Sequence, residues 1–117
     1  MYDEGRQILK EYYHVLGLKR DKSRKQEQVK ARAAMMTAMR QNELTTTSIA
    51  KLFGSDHSTV VHHTRKHEAN IATWPGYEKN YITAVRLCGE KLAEKQQILN
   101  EVYGKVNMET FIKIQSL

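Results

Sequence analysis

Residues 46–67 read Thr46-Thr47-Ser48-Ile49-Ala50-Lys51-Leu52-Phe53-Gly54-Ser55-Asp56-His57-Ser58-Thr59-Val60-Val61-His62-His63-Thr64-Arg65-Lys66-His67. The order fits two short helices joined by a tight turn. Ile49, Ala50, Leu52 and Phe53 carry helical spacing, and residues 44–48 supply hydroxyls able to cap that helix. Ala50 is small, as two closely crossing helices require. Gly54, four residues on, tolerates the positive φ of the turn. Ser55 or Asp56 can cap the second helix. Its inner face is Val60, Val61, Thr64 and His67, and Ile49, Phe53 and Val60 form a wedge of core between the pair. Positions 58, 62 and 66 repeat by four and share the outer face. That face carries His57, Ser58, Thr59, His62 and Lys66, polar groups beginning at a helix N-terminus. Such groups can hydrogen-bond base edges in a major groove, with Arg65 and Lys66 in reach of phosphates. The spacing alone also fits a helical hairpin with a polar outer face.

Outward from this stretch the chain reads as all-α. Ile8, Leu9, Tyr12, Tyr13, Val15 and Leu16 mark an amphipathic helix over 4–16, ended by Gly17. A polar, basic connection runs from Lys19 to Lys25. A second helix spans about Glu27 to Asn42, with Val29, Ala33, Met36 and Met39 as its apolar positions. Trp74-Pro75-Gly76 is a break. Beyond it, Tyr81, Val85, Cys88, Leu92, Lys95, Leu99, Val102 and Val106 step by four and three, a heptad seam. This seam predicts one or two long C-terminal helices that pack on the domain or pair two copies. The organisation expected is a helix-turn-helix domain over 1–73 and a helical extension over 74–117.

The chain has 117 residues and a net charge of +6, and its distribution is uneven. Residues 19–40 hold eight basic and two acidic side chains, a balance of +6. Residues 1–18, 41–70 and 71–117 balance at −1, 0 and +1. A localised cationic stripe is the electrostatic footprint of a polyanion binder, although solvated lysines on a helix can look alike. Basic side chains at the start of the second helix also oppose its macrodipole, which favours a ligand-facing role.

The run Phe53-Gly54-Ser55-Asp56-His57-Ser58-Thr59-Val60-Val61-His62-His63-Thr64-Arg65-Lys66 resembles the signature of the C-terminal DNA-binding domain of the bacterial replication initiator DnaA. Residues 8–13, Ile-Leu-Lys-Glu-Tyr-Tyr, resemble that family's first helix, and Lys19 to Lys25 its basic loop. The resemblance covers about residues 4–70. It implies a Trp-repressor-like helix-turn-helix that binds double-stranded DNA. Carried over residue by residue, it implies major-groove reading by Asp56, His57, Ser58, Thr59 and His62, and a backbone contact from Lys66. Arg32 matches an arginine of the family's next helix. Lys22 and Lys25 belong to the basic loop. From that loop one arginine enters the minor groove, with Arg20 and Arg24 both candidates. The chain departs from the family in its turn, which is one residue shorter and lacks an arginine. It also lacks the Gly-x-x-x-x-Gly-Lys-Ser/Thr loop of a nucleotide-switched initiator. A stand-alone module acting in replication or transcription control is therefore expected, encoded by a bacterium, phage or mobile element.

Other classes are disfavoured. His63 and His67 are four apart, but only Asp56 or Glu68 could complete a local metal site, so none is expected. Four histidines near DNA could gain charge near pH 6.5 and tighten binding. No paired carboxylates, phosphate loop or nucleophile elbow is visible, and Cys88 reads as a small core residue, so neither catalysis nor a cofactor is expected. No apolar run approaches the roughly 18 residues of a membrane span. The single cysteine and polar start point to the cytoplasm. The remaining alternative is an assembly protein that keeps the fold and works through its C-terminal helix, as a homodimer for example.

Overall fold

The structure, a computed structural model, describes residues 2–91, with side chains from Glu4 onward. Among these residues there are six helices and no strand. They are α1 (Tyr2–Leu16), α2 (Gln26–Gln41), α3 (Thr46–Phe53), α4 (His57–Arg65), α5 (His67–Thr73) and a helix over 77–91, here α6. None of the described helices is long and apolar enough to cross a membrane.

Helix α1 buries Ile8, Leu9, Tyr12 and Tyr13. Val15, expected on that face, points outward and is 57% exposed. Gly17 adopts φ +63°, its N–H donates to His14 O at 3.1 Å, and the Leu18 N–H donates to Tyr13 O at 3.0 Å. These paired bonds close the helix by satisfying its last carbonyls.

Helix α2 departs from the amphipathic reading. Every residue from Ala33 to Met39 is buried, together with Gln28 and Ala31, while Val29 is only half-buried. A helix buried all round lies at the centre of a domain. Its alanines leave room for neighbouring helices, and Met35, Met36 and Met39 fill the irregular gaps between them. Tyr12 from α1 donates its hydroxyl to Ala31 O at 2.8 Å, and burial pushes its phenol far above the usual range.

The helix-turn-helix forms where expected. Thr45 is the N-cap of α3, its Oγ1 accepting from the Ser48 N–H at 3.1 Å. Gly54 ends α3 at φ +60°. Gly54 and Ser55 N–H then donate to Lys51 O and Ala50 O at 3.2 and 2.9 Å. Val60 is fully buried with Ile49 and Phe53 in the main core. Asp56 occupies the N-cap of α4, but its side chain makes no capping bond.

One helix to His67 was the expectation; the structure has two. Lys66, with φ −85° and ψ 0°, turns the axis between α4 and α5. His67 consequently leaves the inner face of α4. Its Nδ1 lies 2.7 Å from the Tyr77 hydroxyl, and its ring centre lies 4.3 Å from that of Tyr81 at a tilt of 56°.

Helix α6 packs into the same core through Ala84, Leu87 and Cys88, and buries Tyr77 in a second cluster with Ala33 and Ala34. Cys88 Sγ lies 3.8 Å from Met35 Sδ, and Lys91 Nζ 3.2 Å from Glu11 Oε1. The expected seam is thus altered. Cys88 is buried and Tyr81 half-buried, but Val85 turns outward at 37% exposure, because the helix addresses α1 and α2 with its 84/87/88 face. Leu92, Lys95, Leu99, Val102 and Val106 lie outside the described residues. The division placed after residue 73 falls between α5 and α6, and the core continues across it.

Candidate nucleic-acid interface

Helix α4 presents an open, shallow groove lined by His57, Ser58, Val61, His62, Arg65 and Lys66. Ser58, His62 and Lys66 therefore share a surface, as their spacing predicts, despite the break at Lys66. His57, Ser58, His62, Arg65 and Lys66 are exposed and Thr59 is half-buried. The Asp56 carboxylate, unused in capping, stands exposed at the helix tip. Val61, expected on the inner face, is half-buried and instead lines this groove, while its neighbour Val60 takes the core position. The Val61 methyl groups add an apolar surface of the kind that meets a thymine methyl.

The basic loop lies against the same unit. The Lys22 ammonium is 3.0 Å from where a Cβ on Gly54 would stand, so it covers the turn leading into α4. Arg32 donates to Asp21 O at 2.9 Å and to Ser23 O at 2.6 Å. Arg20 donates to Leu52 O at 2.7 Å, and its guanidinium carbon lies 5.4 Å from the Phe53 ring centre. Lys30 is drawn to the Trp74-Pro75 turn, its ammonium bonded to Pro75 O and 5.7 Å from the Trp74 ring. These partners are carbonyls and aromatic faces, which are neutral. The charge of the segment survives, while several of its side chains are committed to the fold.

This sorts the expected contacts. Lys22, Arg24 and Lys25 are exposed. The side chains of Arg24 and Lys25 make no hydrogen bond or ion pair among the described residues, while the Lys25 carbonyl accepts from the Gln28 and Val29 N–H groups. Arg20 and Arg32 are instead tied to backbone. Of the two loop arginines singled out from the sequence, Arg20 is bonded to backbone and Arg24 is exposed. Gln28, which the spacing did not single out, is 3% exposed and donates Nε2 to Lys19 O at 2.7 Å. Gln28 and Arg32 are four apart on one helical face, and that face holds the loop.

The histidines divide. Burial, and then His62 and Arg32, lower the pKa of His63; burial also lowers that of His67, against an opposing effect of Glu68. These two are therefore harder to charge than an ordinary imidazole. Because the folded-state values lie below the unfolded one of 6.5, the unfolded chain takes up protons first as pH falls. Their contribution to stability is complete above about pH 7 and declines as pH drops through 6.5 and below. The thermal midpoint should therefore fall between pH 7.5 and 5.5, and His63→Gln should flatten that fall. A variant with the full wild-type slope would exclude His63 as a source.

No curated protein and no solved structure matches the chain. Residues 7–66 match the family model described as the bacterial dnaA protein helix-turn-helix. The match spans α1 from its second turn, the basic loop, α2, α3 and α4, ending on the last cation of the groove. With just over half of its residues in the match and both parts of the surface inside it, the chain belongs to the DnaA helix-turn-helix family, whose domains bind DNA.

Proposed function

We propose that the protein binds double-stranded DNA with sequence preference, in replication or transcription control, as a bacterial, phage or mobile-element module. The observation that carries this reading is the exposed polar tip of α4 beside a loop whose exposed Lys22, Arg24 and Lys25 outnumber its one carboxylate, Asp21. In the mode proposed, Asp56, His57, Ser58, Thr59 and His62 read the major groove, Lys66 holds the backbone, and the loop contributes Lys22, Arg24 and Lys25.

Neutralising about four to six phosphates should give a slope of log affinity against log salt of roughly −4 to −5. His57→Ala or Thr59→Ala should cost about 1–3 kcal/mol on a preferred site and little on random duplex. Equal losses on both would remove base reading from these residues. A mobility shift with no salt-sensitive binding would remove the proposal.

Ile82 and Val85, turned outward on α6 at 56% and 37% exposure, favour a second reading, assembly through the C-terminal helix. Under it, the purified chain forms a defined oligomer and shows no duplex binding at moderate salt.

A further inference from the structure

We propose that Arg20 is a positioning residue that locks the basic loop to the helix-turn-helix, so that loop and α4 read DNA as one rigid unit; this rests on the DNA reading above. The glycine turn after α3 supplies backbone donors to Ala50 O and Lys51 O. Leu52 O, the next carbonyl, receives its donor from Arg20 at 2.7 Å, across 32 residues of sequence. The guanidinium also lies 5.4 Å from the Phe53 ring and 6.0 Å from the Tyr13 ring, bridging α1 and α3. On its other side, Arg32 and Gln28 hold the carbonyls of Lys19, Asp21 and Ser23. Residues 19–23 are thus fastened to α3 and to α2 at once, immediately before the unbonded Arg24.

The chemistry selects arginine at position 20. A planar guanidinium can lie against rings and donate in its own plane, whereas a lysine ammonium is a point charge that does neither in that geometry. A fastened loop loses less conformational freedom on binding than a free one. It also fixes the distance between the base pairs met by Arg24 and those met by α4. A minor-groove role for Arg20 itself would require it to leave Leu52 O and both rings.

Arg20→Lys separates these roles, because it keeps the charge and removes the lock. Bound sequences are selected from a random duplex pool with the wild-type chain, R20K, R32K and R24A. The wild-type chain should enrich a two-part motif at one spacing, and R24A should lose the loop part. R20K should keep the α4 part, weaken discrimination in the loop part by about tenfold and spread it over several spacings. Its salt slope and unfolding temperature should match wild type. R32K, which frees the loop from α2, should give the same pattern. A wild-type motif with no loop part overturns the inference. So does an R20K motif identical to wild type, or an R20K loss that is uniform over sequences with a shallower salt slope, as for a direct phosphate contact. Equal loss of both parts with a lower unfolding temperature also overturns it, making Arg20 a support of the fold alone. A wild-type chain that binds no duplex fails earlier, at the DNA reading, and is distinguishable from all of these.

Discussion

The triple variant Lys22→Gln, Arg24→Gln, Lys25→Gln should lose DNA affinity by several hundredfold at about 0.1 M salt while remaining folded. Each phosphate contact contributes about −0.9 to the salt slope, so removing three makes it shallower by roughly 2.7. Extrapolated from 1 M to 0.1 M salt, that corresponds to a factor of about 500. The loss should be similar on preferred and random duplex, apart from the part Arg24 adds at its own base pairs. All three side chains are exposed, so the unfolding temperature should hold. A titration across salt concentrations checks this. A slope that does not move would show that the loop faces away from the phosphates.

Ile49→Ala should have the largest effect on stability. Ile49 is fully buried in the main core beside Phe53 and Val60, at the crossing of the two helices that form the reading surface. Removing its methyl groups should cost about 2–5 kcal/mol, the transfer term plus a cavity the neighbours close only in part. Domains of this size have stabilities of about 5–15 kcal/mol, so a substantial part of the total is at stake. Chemical denaturation should show a lower midpoint with little change in slope. DNA binding should weaken mainly through the unfolded fraction, with the salt slope retained. An Ile49→Ala chain of wild-type stability would mean that the wedge between α3 and α4 is not packed as described.

The helix-turn-helix was legible because its determinants are local. Ala50, Gly54 and the hydroxyls before Ile49 act within a few residues of themselves, and a glycine four positions after a small residue has few other uses. The polar outer face of α4 was legible for the same reason, since its period is that of one helix. The individual roles of the cations were not. A count of charges cannot tell Arg20, bonded to Leu52 O across 32 residues, from Arg24, whose side chain makes no bond among the described residues. Nor does spacing reveal how many neighbours a helix has. Val29, Ala33, Met36 and Met39 suggest one apolar face, whereas α2 is enclosed on nearly every side, its small residues admitting helices that a single face would not need. The outward turn of Val85 has the same origin: α6 rotates to suit α1 and α2, and a heptad count contains no information about them.

The thiol of Cys88 is wholly enclosed beside the sulfur of Met35, and burial pushes its pKa up to about 12. As the chain's single cysteine, it provides a built-in clock. Alkylation by iodoacetamide at neutral pH should proceed only when the helix bearing this residue lifts away. The labelling rate on the unmodified protein then measures how often that helix detaches, and duplex DNA added to the same reaction would report whether occupancy at α4 slows that detachment.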